Sequence, residues 1–329
     1  MNSFHILSQA TIPSLGKIRP FMATEINFVD WGPALNQVRP YMAMSDRLVL
    51  FPNNKVSTAV WDMEDDRSMG VLDGHTGRVV SAEINNVGSM AVTIAHPDDD
   101  EVPWSVKIWS LGTLQCTADL TSTGSATTCL LKDRLLLGGR DGTIKVWDIG
   151  GSAPVALMDL EGHTDIIWSI TASDTSNIAL SGSGDKSVRL WDLRTGQCVR
   201  VMEGHTDDVG SVSMGSACQT AVSGSFDKTV KLWDLGSGRC IQTYEYDDTV
   251  HTVMMHESGG SFLAARGRVF NAYSTAPGYT DPFLNNVDLS SMCDSYRCPL
   301  VVASRDLSRV GMCYIKDVEN SLLGVSVWK

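Results

Sequence analysis

Residues 161–202 read EGHTDIIWSITASDTSNIALSGSGDKSVRLWDLRTGQCVRVM, and residues 203–244 read EGHTDDVGSVSMGSACQTAVSGSFDKTVKLWDLGSGRCIQTY. The second stretch repeats the first at a constant offset of 42. Gly162-His163 answers to Gly204-His205, Asp185 to Asp227, Trp191-Asp192 to Trp233-Asp234, and Cys198 to Cys240. Such fidelity marks a tandem structural unit. Within each copy, short apolar runs such as IIWSI, IALSGS, SVRLW and CVRVM are separated by Gly, Asp, Ser and Asn. That pattern predicts four short strands joined by tight turns, with no helix.

A Gly-His near the start and a Trp-Asp near the end of a four-strand unit of this length resembles the WD-repeat family. The resemblance implies a β-propeller, each repeat contributing one blade around a central channel. It also implies a hydrogen-bonded chain inside each well-formed blade: His163, Ser181, Asp185 and Trp191, repeated as His205, Ser223, Asp227 and Trp233. The chemistry is consistent, because a buried imidazole or carboxylate is costly unless paired and an indole N–H needs an acceptor. Ser, His and Asp together also describe a hydrolytic triad on paper. A set recurring at fixed spacing in two repeats is expected to fasten the blade.

The chain has 329 residues, 43% of them hydrophobic, enough for a substantial core. At about 40 to 45 residues per blade, that length accommodates seven blades as one domain. The formal charge of −12, from 38 acidic and 26 basic residues, argues against a nucleic-acid-binding surface spread over the molecule. No apolar run approaches the ~18 residues of a membrane span, and the N-terminus has no charged-then-apolar leader pattern. The expectation is a soluble, intracellular protein of cytoplasm or nucleus, without a membrane association.

Of eight cysteines, Cys116, Cys198 and Cys240 each fall seven residues after a blade-closing Trp (Trp109, Trp191, Trp233). Equivalent positions on different blades should not meet, so these are expected to be small buried hydrophobes rather than disulfides. Cys293 and Cys298 lack a second pair at zinc-site spacing, so no metal is expected. The usage fits a reducing compartment.

Taken in order, residues 1–40 carry no repeat landmark, and residues 41–329 form the repeat domain. The last landmark, Val325 to Lys329, ends at the third strand of a blade, which then lacks an outer strand. An N-terminal strand, His5–Thr11 or Glu25–Val29, is expected to supply it and close the ring, removing an open edge. The alternative, that this segment belongs to an upstream adaptor such as an F-box, lacks the expected helix pattern. Blade one spans Tyr41 to Leu72, with Lys55 where the internal Asp would stand. Blade two runs from Gly74-His75 to Trp109, with Thr93 at the hydroxyl position. Its inner turn swells to include Asp98–Glu101, read as a solvated loop because the oxygen spacing and Gly bend of a calcium loop are missing. Blade three keeps Asp141 and Trp147 but has Leu137 in place of the hydroxyl. Blade six is degenerate, with Gly267 for the Asp and Tyr273 for the Trp, followed by a Pro-, Asp- and Ser-rich stretch at 274–297 expected to hold an outer strand and a loop. Third-strand ends at Trp61, Trp109, Trp147, Trp191, Trp233, Tyr273 and Trp328 count seven blades, with six or eight also compatible with the weak end repeats.

No catalytic signature is present. GGRDG at 138–142 lies in a strand turn without a following helix, and no GxSxG elbow or HExxH helix occurs. What remains is a platform whose loops bind partners. The resemblance places partner contacts on the face carrying the first-strand start and the turn before the third strand. On blades four and five those positions are Ile166, Trp168, Gly184, Asp208, Gly210 and Phe226. Trp168 replaces the sister repeat's Gly210, and Phe226 replaces its Gly184. Large aromatics alternating between two otherwise matching blades point to a surface anchor for a peptide, against the plainer reading that Trp168 plugs the channel. The same alignment puts Arg78, Arg140 and Arg266 at corresponding positions of blades two, three and six, with His251 near the equivalent of Trp168. Arginines around one opening could grip an acidic or phosphorylated motif, where scattered surface arginines are the plainer reading.

The expected function is a non-enzymatic protein-interaction scaffold without cofactor, a monomeric ring within a larger complex. By family analogy it would be a substrate-recognition subunit such as that of a ubiquitin ligase. The alternatives are an enzyme using the channel and a component of an RNA-processing or ribonucleoprotein complex.

Overall fold

The computed structural model describes residues 20–27, 41–85, 87–97, 103–122, 124–173, 175–266, 269–275, 284–288, 300–303, 310–317 and 322–328. These residues form strands and turns without a helix, in seven four-stranded antiparallel sheets. The chain divides into two units, residues 1–121 with 286–329, and residues 122–285.

In the first unit, blade one holds Ala43–Met44, Leu48–Pro52, Thr58–Asp62 and Arg67–Leu72, in that order across the sheet. Blade two holds Arg78–Ile84, Met90–His96, Trp104–Ser110 and Gln115–Ser122. Blade seven takes Leu300–Ala303, Val310–Asp317 and Leu322–Trp328 from the C-terminal end, and its fourth place is filled by Pro20–Asn27. That strand runs antiparallel to Leu322–Trp328, with Ala23 opposite Ser326 and Asn27 opposite Leu322. It overlaps the expected Glu25–Val29 but starts before it, at Pro20, because its extent is set by the strand it covers. The other expected donor, His5–Thr11, lies outside the described residues, as does the acidic turn Asp98–Glu101.

In the second unit, blade three holds Ser125–Leu130, Arg134–Gly139, Ile144–Asp148 and Val155–Leu160. Blade four holds Ile167–Ser173, Ile178–Ser183, Val188–Asp192 and Gln197–Met202. Blade five holds Val209–Met214, Thr220–Ser225, Thr229–Asp234 and Arg239–Glu245. Blade six holds Thr252–Met255, Ser261–Arg266, Val269–Ser274 and Leu284–Asp288. Within each unit, first strands of neighbouring blades lie side by side.

Among the described residues, the cores sit between neighbouring blades of a unit. Ile144, Val146 and Leu160 of blade three pack with Ile167, Ala179 and Trp191 of blade four. Leu180, Val188 and Leu190 pack in turn with Val209, Val212 and Trp233 of blade five. Blade six lacks the polar quartet and closes on rings instead: Phe262 stacks on Tyr273 at 5.1 Å, and Tyr244 meets Tyr273 at 4.8 Å. The close approach of blades demands glycine at one repeated position. A Cβ on Gly182 would stand 2.7 Å from Val209 Cγ1, and one on Gly224 2.8 Å from Val250 Cγ1.

First-strand serines stitch the blades together. Val212 N donates to Ser169 Oγ at 3.1 Å, Val253 N to Ser211 Oγ at 3.0 Å and Met255 N to Ser213 Oγ at 2.9 Å. These bridges satisfy inner-strand amides that have no neighbouring strand on that side.

One expectation is corrected. Cys116 and Cys240 are exposed and Cys198 half-buried, all as free thiols. They stand on fourth strands, the outermost of each sheet, where no further layer covers them. Each Sγ donates to the carbonyl two residues on, at 3.2 to 3.3 Å.

Candidate functional site

Two constellations invite a functional reading: the polar quartets and the aromatic row of Trp168, Phe226 and His251. In blade four, His163 Nδ1 lies 2.7 Å from Asp185 Oδ2 and Nε2 lies 2.7 Å from Ser181 Oγ. Trp191 Nε1 donates to the same Oγ at 2.8 Å. Blade five repeats the geometry, with His205 at 2.8 Å from Asp227 and 2.7 Å from Ser223, and Trp233 donating to Ser223 at 2.7 Å. One proton order satisfies every atom: indole N–H to Ser oxygen, Ser O–H to Nε2, and Nδ1–H to carboxylate. Burial depresses the pKa of His163 and His205, outweighing the pull of Asp185 and Asp227, so both imidazoles are neutral. For the aspartates, burial acts upward, but hydrogen bonds from Ser187 and His163 to Asp185, and from Thr229, Thr206 and His205 to Asp227, hold both below the usual carboxylate range.

This is the connectivity of a hydrolytic triad without its access. Ser181 and Ser223 are completely buried, and each oxygen already takes an indole N–H. Blade two carries the same fastener in altered form: His75 bonds Thr93 Oγ1 at 2.7 Å, Trp109 donates to that oxygen at 2.7 Å, and Ser105 replaces the Asp at 3.1 Å. The His75 pKa falls to about 4, from burial and then from nearby Lys107, against Asp119. Where Phe51 and Leu137 stand at the hydroxyl position, Trp61 Nε1 and Trp147 Nε1 are buried without a hydrogen-bond partner among the described residues. The hydroxyl is therefore what satisfies the blade's tryptophan.

The aromatic residues are arranged for a different purpose. The first two strands of blade four slip register between Ile167 and Ser169, and those of blade five between Val209 and Ser211. Trp168 and Gly210 are thus the bulged residues, turned out of the alternation that would send them into a blade core. Trp168 is half-buried, and its Nε1 donates to Asp208 Oδ2 of blade five at 3.0 Å. Phe226 follows the second strand of blade five, anchored by its N–H to Asp208 O at 2.9 Å. The rings of Trp168 and Phe226 are 6.3 Å apart, and Phe226 meets His251 of blade six edge-on at 5.4 Å. Trp168, Phe226 and His251 form one row across three blades. Volume is conserved within each blade: a Cβ on Gly210 would stand 3.0 Å from the Phe226 ring, and one on Gly184 would touch Asp165 and Ile166.

The structure thus brings Trp168, Asp208, Phe226 and His251 into contact, with half-buried Ile166 beside Gly184. The arginines do not join them as a set. Arg266 pairs with Asp247 and lies over the Tyr246 ring at 5.2 Å. Arg140 is exposed on blade three. Arg78 belongs to the other unit, where its Nε is buried without a hydrogen-bond partner among the described residues. Sequence reasoning missed the Trp168–Asp208 bond, because it joins non-equivalent positions of two repeats. Among the described residues, no three His, Cys, Asp or Glu side chains gather as a metal site.

Comparison with known proteins agrees with this framework. The model of the family "WD domain, G-beta repeat" matches residues 114–148, 155–192 and 196–234. Each matched segment begins on or just before the outer strand of one sheet and ends on the third strand of the next, so consecutive sheets share a repeat. The chain is 28% identical over 166 residues to a CCR4-associated factor 4 homolog of Candida glabrata, covering 44% of this chain and 28% of that protein. It is 29% identical over 139 residues to Autophagy-related protein 16 of Arabidopsis thaliana, covering 41% and 26%. It is 40% identical over 76 residues to the small ribosomal subunit protein RACK1 of Caenorhabditis elegans, covering 21% and 23%. The chain thus spans only about a quarter of the length of these relatives. It is an all-β protein of the β-propeller class, carrying WD40 repeats at residues 114–148, 155–192 and 196–234.

Proposed function

We propose that this chain is a non-enzymatic interaction scaffold that seats a partner peptide on the row formed by Trp168, Phe226 and His251, with Ile166 and Asp208 beside it. The observation that carries the reading is the pair of bulged and swapped positions. Two repeats that match closely elsewhere differ by placing an aromatic at 168 in one and at 226 in the other, and the two rings meet across the blades. A core role would keep such positions alike; a partially exposed aromatic pair is the usual anchor of a protein interface. Arg266, committed to Asp247, is not part of this row.

The relatives' names point to different settings, one a CCR4-associated factor, one autophagy-related and one a small ribosomal subunit protein. A shared framework with partner choice made in its loops accounts for that variety. The finer assignment, a substrate receptor of a ubiquitin ligase, rests on the resemblance of residues 160–246 alone.

The test is affinity purification with the full chain and with Trp168→Ala/Phe226→Ala, quantified by mass spectrometry at matched melting temperature. Loss of the partners retained by the unaltered chain is expected; an unchanged set refutes the site.

A further inference from the structure

We infer that the segment seated on this row is basic: an extended peptide laying a large apolar side chain on Trp168 and Phe226, with arginine or lysine beside it. The inference rests on the reading above and adds the sign of the charge.

Blades four, five and six each place a carboxylate at the same point of the loop entering the first strand. Asp165 Oδ1 accepts the N–H of Ile166 at 2.7 Å, Asp207 Oδ1 that of Asp208 at 3.0 Å, and Asp248 Oδ1 that of Thr249 at 2.8 Å. All three are exposed, and none has an ion-pair partner among the described residues. Asp208, holding the edge of Trp168, is a fourth. The cations of the same face are differently placed. Arg266 is paired to Asp247, and Lys228 Nζ donates to Asp247 O at 3.1 Å.

The hydrogen-bonding chemistry points the same way. A phosphate or carboxylate on the partner would need donors, and the indole N–H of Trp168 is already spent on Asp208. Besides the His251 imidazole, the row offers outward aromatic faces and carboxylate oxygens, both of which attract ammonium and guanidinium groups. The whole chain, at −12, adds a field of the same sign.

The experiment uses the full chain and three sets of fluorescein-labelled ten-residue peptides, each with a central Leu or Trp. One set is flanked by Arg and Lys, one by Asp and Glu, and one by phosphoserine; binding is read by polarisation at about 50 and about 300 mM salt. The basic set is expected to bind about ten-fold more tightly than either other set at low salt, with the gap narrowing at high salt. Asp165→Asn/Asp207→Asn/Asp248→Asn keeps each loop acceptor and removes only charge. It is expected to erase most of the preference while the melting temperature holds. Tighter binding of the acidic or phosphorylated set, equal binding of all three, or no binding of the basic set overturns the inference. The failures are distinguishable: if Trp168→Ala/Phe226→Ala still loses its cellular partners, the binding row stands and only its charge preference is refuted.

Discussion

Replacing Ser181 by Ala isolates the fastener. Its Oγ is completely buried and serves two groups, accepting from Trp191 Nε1 at 2.8 Å and donating to His163 Nε2 at 2.7 Å. Alanine leaves both without partners, and each stranded buried group costs about 1–3 kcal/mol. The expected loss is therefore about 3 kcal/mol. At an unfolding entropy of about 2.1 cal/mol/K per residue, 329 residues unfolding together convert this to a drop of about 4 °C in Tm. Ser181→Thr keeps the hydroxyl, as Thr93 does in blade two, and should lose much less. In the double variant with Trp191→Phe the indole N–H no longer exists, so the losses should fall short of additivity by about 1 kcal/mol or more. Urea unfolding of the parent, Ser181→Ala, Ser181→Thr, Trp191→Phe and the double variant measures all of this. A Ser181→Ala variant within about 0.5 kcal/mol of the parent would refute the reasoning, since an unremarkable surface change does no more.

Acid should weaken the fold through its histidines. His75, His163 and His205 have folded pKa values below their unfolded one, so the unfolded chain binds more protons and stability falls as pH drops through about 6.5. His75, depressed to about 4, alone accounts for up to about 3 kcal/mol between those limits. Below that window Asp185 and Asp227, held low in the folded state, withdraw their contribution in turn. Chemical denaturation from pH 7.5 to 4 should show the decline, and a flat profile would contradict it. Gly182→Ala should cost about 1–3 kcal/mol, because its Cβ would stand 2.7 Å from Val209 in a closed inter-blade core; a neutral result by thermal melting would show that the blades can yield.

Much of this architecture was legible because it repeats. Third strands ending at Trp61, Trp109, Trp147, Trp191, Trp233 and Tyr273 follow from one pattern applied along the chain, and each polar quartet stands at fixed spacing within its copy. The less legible features break the pattern. Alternation of apolar residues assigns Trp168 to a face but does not reveal the bulge that turns it outward. The serines Ser169, Ser211 and Ser213 look like ordinary strand residues until the neighbouring blade supplies their amide donors. Cysteines seven residues after a tryptophan read as core, yet the strand carrying them is the last in its sheet. The strand Pro20–Asn27 takes its limits from Leu322–Trp328, some three hundred residues away, and local sequence has no means of expressing that. Arg266 reads as an available cation until Asp247 and Tyr246 are placed beside it.

The division of labour between buried quartet and exposed row is tested most directly by measuring stability and partner retention together on two variants. Ser181→Ala is predicted to melt earlier and keep its partners below its own transition, whereas Trp168→Ala/Phe226→Ala is predicted to melt with the parent and lose them. Partners lost in the first variant and kept in the second would contradict the account.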